Sequence, residues 1–149
     1  MNKRLSMSLE SYLETIADLQ DKFGAVRTSD LADKMGCKRS SVTNALQRLS
    51  DKGLINYQAY RPVTLTLEGQ QAIDRLNRFH EIIELFLQKI FAFPKEFARE
   101  EACRLEHRLS FKTIERMNKF MKFIDENKKS TLKVSELQKA FAKFIADSQ

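Results

Sequence analysis

TSDLADKMGCKRSSVTNALQRLSDKGLINYQAYRPVTLTLEG, residues 28–69, contains the change of hydrophobic period that decides the fold. Up to Gly53 the apolar residues Leu31, Ala32, Met35, Val42, Ala45, Leu46 and Leu49 recur at steps of three and four, which is helical spacing. Thr28 opens a short helix with Asp30 in its first turn and Gly36 as its stop. After a brief turn a second helix follows, with Ser40 or Ser41 as candidate N-cap and Gly53 as its end. Beyond Gly53 the period falls to two. Leu54-Ile55 and then Val63, Leu65 and Leu67 alternate with polar residues around a Tyr60-Arg61-Pro62 turn. Short helix, tight turn and second helix make a helix-turn-helix. A β-hairpin directly after it reads as a wing.

On the N-terminal side, Leu9, Tyr12, Leu13, Ile16, Ala17 and Leu19 place an amphipathic helix over residues 8–23, with Ser8 as N-cap and Gly24 as stop. On the C-terminal side, Glu68-Gly69 closes the wing and a long helix runs from about Gln70 to Phe91. Pro94 breaks it. Two further helices follow, in PKEFAREEACRLEHRLS and SFKTIERMNKFMKFI, and a last amphipathic segment covers Ser130–Ala146 after a linker-like Asp125–Lys129. The predicted class is mainly α. Residues 1–70 form an N-terminal winged helix-turn-helix domain with a small β-hairpin wing, and residues 71–149 a helical domain whose apolar faces need each other and a second copy.

Composition agrees. With only four Gly and two Pro, and 42% hydrophobic residues, the chain is expected to fold and to favour helix. A net charge of +6 favours a polyanionic partner. Cys37 and Cys103 are too few for a disulfide framework, the N-terminus lacks a signal-peptide core, and Ile82–Phe93 is interrupted by Glu84, Gln88 and Lys89. The expectation is a cytoplasmic protein with no membrane span.

The second helix of such a motif lies in the major groove with its N-terminal residues at base edges. Those residues here are Lys38, Arg39, Ser40, Ser41, Thr43 and Asn44. Asn pairs with adenine and hydroxyls with several base edges, while Lys38, Arg39, Arg48 and Lys52 suit phosphates. In the wing, Tyr60 and Arg61 are placed for the DNA backbone or minor groove. The plainer reading of the same residues is a basic, solvated helix.

The two histidines both fall in clusters. His80 and Glu84 stand at i and i+4, and Cys103, Glu106 and His107 at i, i+3 and i+4, so each set shares a helix face. Sulfur, nitrogen and oxygen donors together suit a borderline transition metal better than Mg or Ca. A lone helical Cys is more often a small hydrophobe and a Glu–His pair more often solvated, so it is both histidines falling in such sets that points to metal.

LESYLETIADL, SSVTNALQRLSDKGLI, YQAYRPVTLTLEG, RFHEIIELFL and above all EEACRLEHRLS resemble the diphtheria toxin repressor family, including its manganese-transport-regulator branch, from about Leu9 to Ile124. The resemblance implies a winged-helix domain, a helical metal-binding and dimerisation domain, and a homodimer that represses metal-uptake genes from a palindromic operator when metal is plentiful. It is to the shorter, two-domain form; the SH3-like domain of longer members has no counterpart. The implied metal ligands are Glu14 on the first helix, His80, Glu84, Cys103, Glu106 and His107. Ser11 is a further candidate, standing where iron-responsive members carry Met and manganese-responsive ones Asp. Arg99 stands where the iron branch places a second histidine of an ancillary site, and a guanidinium cannot ligate a cation. Ligands drawn from both halves imply that metal fixes the first helix and so sets the spacing of the two recognition helices. Cys103 favours Fe(II); the two-domain form and the absent Met lean to Mn(II), and Zn(II), Co(II) or Ni(II) bind in vitro along the Irving–Williams order. The sequence therefore predicts a regulator and not an enzyme, with Fe(II) ahead of Mn(II).

Two rival readings use the same residues. A winged-helix regulator answering a small ligand or oxidation of Cys37 or Cys103 would ignore chelators. A metalloenzyme built on His80, Glu106 and His107 would need an open coordination position and a substrate pocket, and no motif in the sequence supplies one.

Overall fold

In the computed structural model, which describes residues 5–126, 136, 138–140 and 143, the N-terminal half begins one residue pair earlier than its pattern suggests. Ser6, not Ser8, caps α1 (Met7–Phe23): its hydroxyl accepts the Leu9 N–H at 3.4 Å. Gly24 ends α1 at φ 72°, a left-handed conformation that costs glycine nothing sterically. α2 (Thr28–Met35) starts where Asp30 accepts the Arg27 N–H at 3.1 Å. α3 (Arg39–Asp51) has Lys38 at its N-cap position with no side-chain cap, so Ser40 and Ser41 lie inside the first turn with their side chains exposed.

The wing is small. β1 (Ile55–Asn56) and β2 (Thr64–Leu65) pair antiparallel with Ile55 opposite Leu65 and Asn56 opposite Thr64, and a bridge from Val63 to Val26 roots the hairpin. Gln20 on α1 accepts the Leu65 N–H at 2.9 Å, tying the wing to the first helix. The long helix α4 (Leu67–Phe91) starts three residues before the expected Gln70. Thr66 is the reason: its hydroxyl accepts the Gly69 N–H at 3.0 Å and donates to the Gly53 carbonyl at 2.6 Å. Leu67 therefore leaves the strand pattern and stands exposed at the helix start. α5 (Lys95–Glu106) follows with Pro94 at its N-cap, and α6 (Phe111–Glu126) completes the regular elements. Asp125 and Glu126 belong to α6. Most of the amphipathic Ser130–Ala146 segment lies outside the described residues.

The chain divides into two units, Met1–Leu76 and Asn77–Gln149, with the division inside α4. In the first, Leu13 and Ile16 of α1, Leu31 of α2, Val42, Leu46 and Leu49 of α3, and Val26 and Val63 are wholly buried together. The helical residues among them are the ones the period marked, Val63 belongs to the alternating stretch, and Val26, which no period marks, is its bridge partner; each buried Leu or Ile contributes roughly 1.5–3 kcal/mol of transfer free energy. In the second unit Ile83 and Leu87 of α4, Ala98 and Ala102 of α5 and Ile114 of α6 form a separate core. Gln138 donates to the Gln88 and Lys89 carbonyls near the end of α4, and Lys89 pairs with Asp125.

α1 meets the end of α2 and the turn that follows it through two polar contacts. Tyr12 Oη lies 3.2 Å from Cys37 Sγ, and the Thr15 hydroxyl donates to Met35 Sδ at 3.1 Å. The Cys37 hydrogen bond, with burial, pushes the Tyr12 phenol from 10.0 up to about 12. A pKa raised on folding contributes stability that is complete below the unfolded value and lost as pH rises to the folded one. The unfolding free energy of the first unit is therefore expected to fall between pH 10.0 and about 12, and Tyr12→Phe to flatten that fall. Urea titrations at about pH 9 and about pH 11 compare the two proteins; equal pH slopes would rule out this role for the phenol.

Candidate metal centre and nucleic-acid interface

Val42, Ala45, Leu46 and Leu49 turn one side of α3 into the core, so the opposite side is free. Lys38, Arg39, Ser40, Ser41, Thr43, Asn44 and Arg48 are all exposed. The Thr43 hydroxyl donates back to the Arg39 carbonyl at 3.0 Å, which orients it along the helix. Gln47 shares this surface and is held by Asp51, to which its amide donates at 2.8 Å; the sequence reading passed over it, although its i,i+4 spacing to Asp51 was visible. At the wing, Tyr60 and Arg61 are exposed and Tyr60 has a positive φ of 65°. Seven hydrogen-bonding or cationic side chains on one helix face, with a basic hairpin tip in the same unit, suit a duplex groove and its phosphates.

The second unit gathers the histidine clusters. Glu106, at the end of α5, is 4% exposed, and its Oε2 lies 2.9 Å from His80 Nδ1 on α4. Glu84, one turn along α4, lies 3.5 Å from His80 Nε2. His107 Nε2 lies 3.7 Å from Glu106 Oε1, and the Cys103 thiol hydrogen-bonds Glu106. His80, Glu84, Cys103, Glu106 and His107 are thus linked through the Glu106 and His80 side chains. Helical spacing explains each set: four residues separate His80 from Glu84 and three separate Cys103 from Glu106. What joins them is the packing of α4 on α5 through Ile83, Leu87, Ala98 and Ala102.

The electrostatics follow from burial. Desolvation raises the Glu106 pKa above the ordinary carboxylate value, while His80, His107 and the Cys103 thiol pull it down. A carboxylate removed from water and ringed by two imidazoles and a thiol is a donor set of N, O and S, which fits a divalent transition ion. Gln88, unmarked by the sequence reading, donates to Glu84 Oε1 at 2.8 Å and so orients that carboxylate. Such outer partners fix the direction of a ligand. Cys103 itself is exposed, as is Arg99.

In the first unit, Glu14 is half-buried on α1. The Ser11 hydroxyl donates to the Met7 carbonyl at 3.1 Å, a bond within its own helix.

Among the described residues no helix is long and apolar enough to cross a membrane. Comparison with known proteins gives two family matches. Residues 4–63 match the iron dependent repressor N-terminal DNA binding domain, and residues 66–132 the iron dependent repressor metal binding and dimerisation domain. An uncharacterised HTH-type transcriptional regulator of Methanocaldococcus jannaschii is 36% identical over 124 residues, covering 82% of this chain and 99% of that protein. The HTH-type transcriptional regulator MntR of Bacillus pumilus is 32% identical over 132 residues, covering 89% and 91%. A solved manganese-dependent transcriptional repressor in complex with manganese aligns with TM-score 0.63 and 28% identity, over 77% of this chain and 53% of that longer one.

Proposed function

The chain belongs to the iron-dependent repressor family of metal-dependent transcriptional regulators, and from that premise we propose that it represses metal-uptake genes as an Fe(II)- or Mn(II)-responsive homodimer on a palindromic operator. The observation that carries the metal reading is the buried Glu106 carboxylate, held between His80 and His107 with Cys103 and Glu84 around it. These five residues are the proposed ligands in the second unit. Glu14 is a sixth, proposed on the family likeness, with Ser11 as a further candidate.

A divalent ion held here would supply positive charge against the buried Glu106 carboxylate. The chain's own groups do the rest. Glu106 holds His80 by its Nδ1, leaving Nε2 on the Glu84 side, and Gln88 keeps Glu84 turned toward the imidazole. A donor set ordered before binding loses little conformational entropy on binding. Occupancy then favours whichever conformation of the dimer holds the ion more tightly, and linkage requires DNA affinity to follow.

The DNA reading rests on the exposed α3 face, Lys38, Arg39, Ser40, Ser41, Thr43, Asn44 and Arg48, with Tyr60 and Arg61 of the wing. Two-fold symmetry of the dimer implies half-sites spaced by about whole helical turns. Leu85, Phe97, Phe120 and Phe123 leave at least 46% of their area exposed on the second unit, an apolar supply suited to a self-complementary interface.

Iron and manganese are separable by measurement. Anaerobic fluorescence anisotropy on duplexes from the gene's own upstream region, with EDTA and then with Fe(II), Mn(II) or Zn(II), is expected to show tightening of about 5–150-fold with the physiological ion. Cys103 as a thiolate ligand puts Fe(II) ahead of Mn(II) in that order. Binding that is identical in chelator and metal would remove the metal from this reading.

A further inference from the structure

The wing carries more than a phosphate contact needs. Residues 54–66 contain one charged side chain, Arg61, and no acid. The turn beneath it is locked: Arg61 N–H donates to the Gln58 carbonyl at 3.1 Å, Asn56 donates to Thr64 Oγ1 at 3.1 Å, and Val63 is anchored to Val26. That turn holds Tyr60 at φ 65°, a conformation uncommon for a residue with a Cβ, and leaves its side chain 107% exposed. An aromatic held fully in water by a rigid turn has its whole apolar face available for burial against a partner. Between α3 and the wing lies a recess of about 360 Å³ lined by Ser50, Asn56, Tyr57, Gln58 and Arg61 among others, a mostly polar concavity.

We propose that the wing tip reads the minor groove flanking each half-site, with a preference for A·T pairs there. This rests on the assignment of α3 to the major groove. One sugar–phosphate strand separates a major groove from the adjacent minor groove, and the recess between α3 and the wing is where that strand lies. Beyond it, the Arg61 guanidinium enters the minor groove and the Tyr60 ring packs on its sugar wall. A·T-rich minor grooves are narrow and strongly negative, which attracts arginine, whereas each G·C pair places the guanine 2-amino group in the way.

The test uses the full-length, Mn(II)-loaded protein. Selection from a fully randomised duplex library identifies a preferred half-site, and anisotropy then compares that half-site with A·T, inosine·cytosine or G·C flanks. Inosine lacks the 2-amino group, so its pair with cytosine resembles A·T in the minor groove and G·C in the major groove. Wild type is expected to bind G·C flanks about tenfold more weakly than A·T flanks and to treat inosine·cytosine like A·T. Arg61→Ala makes the three flanks equivalent while leaving the selected half-site unchanged, and Arg61→Lys keeps the salt dependence but loses most of the preference. Two outcomes overturn the wing reading alone: Arg61→Ala weakening all three flanks equally, or inosine·cytosine behaving as G·C. A library from which wild type enriches nothing overturns the DNA reading, and this one with it.

Discussion

A His107→Ala variant is expected to stay folded and dimeric while its DNA binding becomes indifferent to Fe(II) and Mn(II). His107 is the C-cap residue of α5, at 3.7 Å from Glu106, so truncating it removes an imidazole from the donor set without opening the α4–α5 core of Ile83, Leu87, Ala98 and Ala102. Loss of an outer-shell partner alone typically weakens metal affinity by about 10–100-fold, so loss of a ligand is expected to cost at least about 100-fold. At an ion concentration that saturates wild type, the variant remains largely empty, and its DNA affinity stays at the chelator value. Isothermal titration with Mn(II) reads the first effect and anisotropy the second. Circular dichroism and sedimentation supply the control, since a variant that unfolds or becomes monomeric reports something else. An unchanged metal titration would exclude His107 as a ligand; Glu106→Gln, which keeps the shape and removes the charge, then tests the centre independently.

The second large effect is structural. Replacing Gly69 by Ala is expected to destabilise the protein by about 1–3 kcal/mol through overpacking, outweighing the gain of about 1 kcal/mol that Ala brings as the better helix former. Gly69 sits in the first turn of α4, where a Cβ would lie 2.0 Å from the Leu54 carbonyl oxygen and 3.0 Å from its carbon. Those atoms are backbone and cannot swing aside. Leu54 O also accepts the Thr66 N–H at 3.1 Å, so a shift there disturbs the junction of wing and helix. Gly24 is the control: a Cβ there meets nothing within 4 Å, so Gly24→Ala carries only the left-handed cost of about 1–2 kcal/mol. Urea unfolding in chelator ranks the variants. If Gly69→Ala is as stable as wild type, α4 does not pack on Leu54 this closely.

Helix periods and the switch to alternation at Leu54 are local properties, and the helix-turn-helix and wing follow them to within a few residues. The misplaced starts have one cause. Ser8 is a cap candidate by residue type and Gln70 follows a glycine that reads as the end of the wing, but Ser6 and Thr66 are the residues whose hydroxyls reach an unpaired N–H at the right offset. Gly69 reads as a breaker when only its neighbours in the chain are known. In space it is a helical residue kept small by a carbonyl fifteen positions away.

The candidate site divides in the same way. Spacing alone identified His80 with Glu84 and Cys103 with Glu106 and His107, because residues three and four apart share a helix face whatever surrounds the helix. The exposed residues of α3 were likewise legible, as the complement of its buried stripe. Spacing said nothing of which cluster would meet which. Glu106 is buried against His80, twenty-six positions back, because α4 and α5 share the core of Ile83, Leu87, Ala98 and Ala102. Its displaced titration, the positioning of Glu84 by Gln88 and the outward setting of Tyr60 all arise from such packing and turn geometry. Periodicity is set by bond geometry within one element, so the elements and their faces are legible in the chain alone; burial depends on what other elements bring, so which donors come together away from water follows from how the helices pack.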